Sequence, residues 1–177
     1  MDEPKTKHSG YRPPPRLILT TPVHLLAFGL GAGLSPVAPG TAGTIVAVPL
    51  WLALQWLPWP IYLATVAVLF AAGCWICGTS ARRLGVHDYG GIVFDEVVGL
   101  LATCIPLLPA FGLAHGNQWL WLAVAFALFR LFDIWKPWPI RGFDRSVGGG
   151  FGIMLDDVLA AVYAAGVLVV AIRLFAQ

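Results

Sequence analysis

Charge is what this 177-residue chain has least of. Asp, Glu, Lys and Arg make up 11% of it, against a hydrophobic share of 58% and a mean hydropathy of +0.78. A soluble globular domain carries about 25% charged residues, so the composition points to an integral membrane protein. A net charge of +2 leaves no polybasic surface of the kind a nucleic-acid binder needs. There are only three cysteines, and all of them, Cys74, Cys77 and Cys104, lie in apolar runs. Cys74 and Cys77 match C-x-x-C but lack the βαβ setting that gives that motif redox meaning. They read as small apolar side chains. Zinc-type Cys/His spacing, a G-x-S-x-G elbow and a D-x-D pair are also missing, which removes the usual nucleophile-based hydrolase signatures.

Apolar runs are plentiful. Span candidates are residues 44–57, 61–80, 97–113, 119–135 and 155–172, with Pro49, Pro106 and Pro109 interrupting two of them. The stretch 23–34 is too short for the ~20 residues a span needs and predicts a re-entrant or interfacial helix. The expected fold is therefore an all-α integral membrane protein, a polytopic helical bundle of four to five spans plus that short helix. Residues 1–21 read as a disordered tail, Pro-rich at Pro13-Pro14-Pro15, and residues 22–177 as one membrane-embedded domain. The basic start lacks a clean small-residue cleavage site, so it is expected to stay on the protein. Lys and Arg gather in the tail, at Arg82-Arg83 and between Lys136 and Arg145, which places those segments on the cytoplasmic side.

The few acids are not scattered. Asp95, Glu96, Asp133, Asp156 and Asp157, five of nine acidic residues, all stand at boundaries of apolar runs. An ionised carboxylate taken toward hydrocarbon costs several kcal/mol unless a partner, a metal or a function offsets it. Oxygen donors alone favour Mg²⁺ or Mn²⁺ over zinc. A purely structural account is open for Asp133, because Arg130, Asp133 and Lys136 are three apart and share a helical face. Neither adjacent acid pair has a base within one helical turn. Asp95, Glu96, Asp133 and Asp157 are the candidate catalytic set, and all five acids are candidate metal ligands.

The basic residues suit an anionic substrate. Arg130 offers a planar fork for phosphate oxygens and Lys136 a point charge. Arg141 and Arg145 sit at a Trp-marked interface where anionic head groups lie. Pro39-Gly40-Thr41 opens a helix, so the backbone around Thr41 can present N–H groups to a phosphate. His24 and His87 can carry protons, although a lone His of this kind is more often structural.

These motifs resemble the phosphatidylglycerophosphatase A family. The resemblance rests on Gly33-Leu34-Ser35-Pro36, on Ala38-Pro39-Gly40-Thr41-Ala42-Gly43 and on Val86-His87-Asp88 leading to Asp95-Glu96-Val97-Val98-Gly99. It continues in the block from Phe129-Arg130 through Asp133 to Lys136-Pro137-Trp138-Pro139-Ile140, and in Gly152-Ile153-Met154-Leu155-Asp156-Asp157. It implies an Mg²⁺-dependent lipid phosphatase of the bacterial inner membrane, with its active site facing the cytoplasm. The reaction expected is hydrolysis of phosphatidylglycerophosphate, an anionic phospholipid, to phosphatidylglycerol and phosphate. By the same match Arg130 and Lys136 are phosphate contacts. An ion- or proton-coupled transporter is the alternative, since carboxylates beside broken helices also mark ion pathways. A non-catalytic assembly factor is a third, which would leave the boundary acids unexplained.

Overall fold

The computed structural model describes residues 12–86, 89–113, 117–142 and 147–175, and every regular element among them is helical. In chain order these are α1 (Pro15–Thr20), α2 (Pro22–Ala27), α3 (Pro39–Leu54), α4 (Trp59–Leu84), α5 (Phe94–Thr103), α6 (Gln118–Trp135) and α7 (Gly149–Phe175). Three of them, α4, α6 and α7, are long and apolar enough to cross a membrane. With 16 residues, α3 is a shorter apolar helix, about 24 Å at 1.5 Å per residue.

The run 97–113 does not form a continuous span. α5 stops at Thr103, and two 3₁₀ turns, Ile105–Leu107 and Pro109–Phe111, carry the chain onward. The cause is local. Pro106 and Pro109 cannot donate the backbone hydrogen bonds that a longer helix requires. A ten-residue helix rises only about 15 Å, so α5 is about half as long as a 30 Å hydrocarbon layer requires. Its interior position makes this possible. Val97 through Leu101 are all buried, and α5 packs against α3, α4, α6 and α7. Near its end Tyr62 donates its hydroxyl to the Leu101 carbonyl at 2.7 Å, which satisfies one of the carbonyls that helix termination leaves over.

The stretch 23–34 is likewise not one helix. α2 ends at Ala27 and a 3₁₀ turn over Gly29–Leu34 follows, kinked at Leu30 and Gly31, where φ is 57° and 100°. Residues 15–20, inside the stretch expected as tail, form α1 with Ile18 fully buried. The two short helices brace the approach to α5. The Val93 amide bonds the Ala27 carbonyl at 2.8 Å, and Gly33 lies so close to Gly91 that a Cβ there would overlap the Gly91 carbonyl.

Two apolar clusters hold the bundle. One joins α3, α5, α6 and α7 through Trp51, Leu100, Phe129 and Leu168, and the other ties α1 and α2 to α4 and α7 through Ile18, Phe28, Cys77 and Met154. Small residues allow the closest crossings. Phe129 fills the notch at Gly99, and Gly150 lies against the Cys74 carbonyl, so a side chain at either glycine would collide with its neighbour. The cysteines are free and apolar in setting, with Cys77 Sγ 3.9 Å from Met154 Sδ.

Candidate active site

Four helix ends meet at one pole of the bundle. α5 begins there with Asp95 and Glu96 in its first turn, and α6 ends there just after Asp133. α7 brings Asp156 and Asp157 in from its early turns, and α3 starts alongside with Gly40. A cavity of about 140 Å³ lies between them. Its walls include Asp95, Glu96, Asp133, Lys136, Asp156 and Asp157, with Gly148, Gly149 and Gly152 along one side. All five acids named from the sequence therefore line one cavity.

Bases neutralise part of this set. Arg130 places Nη1 2.5 Å from Asp133 Oδ2 and 3.8 Å from Glu96 Oε1. Lys136, turned into the left-handed region with φ 45°, pairs with Asp156. Sequence spacing anticipates the Arg130–Asp133 pair, but the partners of Glu96 and Asp156 come from other helices.

What remains is an excess of acceptors. Asp95, Glu96 and Asp157 each offer a carboxylate oxygen, and these oxygens all lie within 4.8 Å of one another. Among the described residues, Asp95 Oδ1, Glu96 Oε2 and Asp157 Oδ2 are buried and accept no hydrogen bond. Such atoms are costly unless something positive meets them. Burial, and then the nearby Glu96 and Asp157 carboxylates, push Asp95 well above the ordinary carboxylate range, and burial raises Glu96. A divalent ion fits this donor set, since Mg²⁺ takes one or two carboxylates and fills its other positions with water and phosphate oxygens.

Not every candidate joins the cavity. Thr41 is half-buried in the first turn of α3 and outside the cavity lining. Its neighbour Gly40 makes the close approach, where a Cβ would overlap Glu96 Oε1 and come within 3.0 Å of both terminal nitrogens of Arg130. Arg141 is exposed and lines an adjoining cleft instead. Arg145 and His87 lie outside the described residues. His24 is buried and its Nδ1 is 2.8 Å from Ser80 Oγ, on the α2–α4 contact and away from the acids. The sequence singles out the Pro39-Gly40-Thr41 backbone around Thr41, but neither the close approach at Gly40 nor the cavity-lining Gly149. The only signal was a glycine run at the start of each helix, and it does not say what the backbone approaches.

An apolar bundle with oxygen donors and two bases converging at one pole defines a helical membrane protein with a charged site at one end. Comparison with known proteins makes the assignment particular. The phosphatidylglycerophosphatase A family model matches residues 25–172. Phosphatidylglycerophosphatase A of Escherichia coli strain K12 is 47% identical over 153 residues, covering 86% of this chain and 85% of that protein. Its namesake from Haemophilus influenzae is also 47% identical over 153 residues, 84% of this chain and 88% of its own. No solved structure is a significant match. The chain belongs to the phosphatidylglycerophosphatase A family and is a lipid phosphatase.

Proposed function

We propose that this chain hydrolyses phosphatidylglycerophosphate to phosphatidylglycerol and phosphate in an Mg²⁺-dependent reaction, at the cytoplasmic face of a bacterial inner membrane, as a step of phosphatidylglycerol synthesis. The observation that carries this reading is the meeting of Asp95, Glu96 and Asp157, with unpartnered buried oxygens, beside Arg130 and Lys136. The named relatives support the substrate. Orientation rests on charge. Arg82 and Arg83 close α4, and Lys136 and Arg141 follow α6, at the pole that holds the cavity, and basic flanks face the cytoplasm.

Asp95, Glu96 and Asp157 would hold the ion, with Asp133 and Asp156 at the cavity wall. Mg²⁺ bound there supplies charge neutralisation on the phosphoryl oxygens and a water of lowered pKa. Arg130 and Lys136 offset the charge of the incoming phosphate and of the acids around it. Water attack on phosphorus in line with the ester oxygen would break the bond from phosphorus to that oxygen and release the phosphate. A carboxylate of the set would take the proton lost by the attacking water and pass it to the departing glycerol oxygen. The apolar bundle below the cavity keeps bulk water from the far side.

The test is phosphate release from phosphatidylglycerophosphate by purified protein in Mg²⁺, with and without EDTA. Release that EDTA abolishes and added Mg²⁺ restores is the expected result. Full activity in chelator would remove the metal from the reading. Substrate flux in proteoliposomes without phosphate release would replace the enzyme by a transporter.

A further inference from the structure

Beside the reaction cavity lies a second, more open cleft of about 490 Å³, formed by Trp135, Lys136, Pro137, Trp138, Arg141 and Gly142. Lys136 belongs to both, so the cleft continues the cavity outward along the end of α6. Its rim is unusual for a charged surface. Trp135 and Trp138 are 60% and 86% exposed, the placement of aromatic rings that settle among lipid head groups. Arg141, which lines the same cleft, is also exposed, and it donates one N–H to the Trp135 carbonyl at 3.3 Å.

The two cations nearest the reaction cavity are already engaged. Arg130 faces Glu96 and Asp133, and Lys136 faces Asp156. The cavity itself, at about 140 Å³, is the smaller of the two spaces. The proposed substrate carries two phosphates, a terminal monoester and a phosphodiester, separated by one glycerol. Seating the monoester among the acids leaves the diester a glycerol's length away, toward the bilayer. The open cleft past Lys136 adjoins the cavity, and Arg141 is its exposed cation.

We infer that Arg141 and the Trp135–Trp138 cleft form a subsite for the lipid phosphodiester, and that this subsite lets the enzyme distinguish a phosphatidyl-linked monoester from a lipid whose only phosphate is the monoester. The inference rests on the proposed substrate. A guanidinium fork suits a diester's two unesterified oxygens, and the flanking rings hold the glycerol backbone at the interface. Arg141 is thus a specificity residue, at a remove from the reacting phosphorus.

Arg141→Ala and Arg141→Lys are compared with wild type on phosphatidylglycerophosphate and on phosphatidic acid, which has the monoester and acyl chains but no diester. Loss of a charged hydrogen bond is expected to lower the ratio of kcat/KM between the two lipids about tenfold, chiefly through KM for the diester-bearing lipid. Lys should restore part of it. Equal effects on both substrates, or an unchanged ratio, overturn the subsite. A second arm needs no turnover. Retention of phosphatidylglycerol relative to diacylglycerol by the detergent-solubilised protein is read by native mass spectrometry. Wild type should favour phosphatidylglycerol and Arg141→Ala should lose that preference, while equal preference in both proteins counts against the subsite. A wild-type protein inactive on phosphatidylglycerophosphate but with Arg141-dependent retention would sink the proposed reaction and leave the subsite standing.

Discussion

Lys136, the left-handed residue that terminates α6, is ion-paired with Asp156 in the third turn of α7. One contact therefore fixes how the end of α6 meets the start of α7, and it places a cation at the boundary between the reaction cavity and the outer cleft. The side chains of this pair are 25% and 10% exposed. Removing one member would take this partner from a side chain that is largely buried.

Lys136→Ala is accordingly expected to destabilise the protein by about 1–3 kcal/mol, below the 3–5 kcal/mol typical of fully buried pairs because water reaches the lysine. The double variant Lys136→Gln with Asp156→Asn should recover much of that loss without recovering activity. Thermal unfolding in detergent, run beside phosphate release, separates the two effects. Equal stability in all three proteins would show that the pair contributes little to the fold.

Asp95 and Asp157 stand on different helices and converge on the same small volume. Asp95→Asn and Asp157→Asn keep shape and remove charge, so each should lower turnover by at least ~10²-fold while the protein remains folded. The comparison is phosphate release at saturating lipid. Near wild-type turnover in either variant takes that residue out of the chemistry.

Gly40 has no room for a methyl group. Its Cβ would displace Glu96 and crowd Arg130, so Gly40→Ala should reduce kcat severalfold or more, at a position with no functional group to lose. Gly166 provides the control, because a Cβ there meets nothing within 4 Å and Ala is the better helix former. Gly166→Ala should leave both activity and stability near wild type. Undiminished activity in Gly40→Ala would show that the α3 end can move away from Glu96.

His24 is 3% exposed beside Ser80, and its pKa is lowered from the ordinary 6.5, chiefly by burial and then by Arg83. A histidine held neutral in the folded state binds its proton more readily once unfolded. Its favourable contribution is thus intact above pH 6.5 and is lost as pH falls from there toward the lower folded-state value. The expected signature is a drop in Tm below about pH 6.5 that is smaller in His24→Gln. Parallel Tm profiles for the two proteins would contradict it.

Composition pointed to a membrane protein, because so few charges cannot cover a soluble surface, and the lengths of the apolar runs pointed to a helical bundle. The acids could also be singled out in one dimension, since a carboxylate at the edge of an apolar run has a cost that the run itself makes visible. α6 was legible almost to the residue, running from Gln118 to Trp135 where 119–135 was expected. So was the Arg130–Asp133 pair, because one helix sets its spacing.

What only the tertiary structure decided is which parts of separate elements touch. Hydropathy could not show that α5 ends halfway at Thr103, because Pro106 and Pro109 break a helix while leaving the run apolar. Nor could it pair Lys136 with Asp156, twenty residues apart, or bring Asp157 to Asp95 and Glu96. Those meetings depend on how closely the backbones approach at Gly40, Gly99 and Gly150. A glycine records in the sequence only that a side chain is missing, and the neighbour that fills its place comes from another helix.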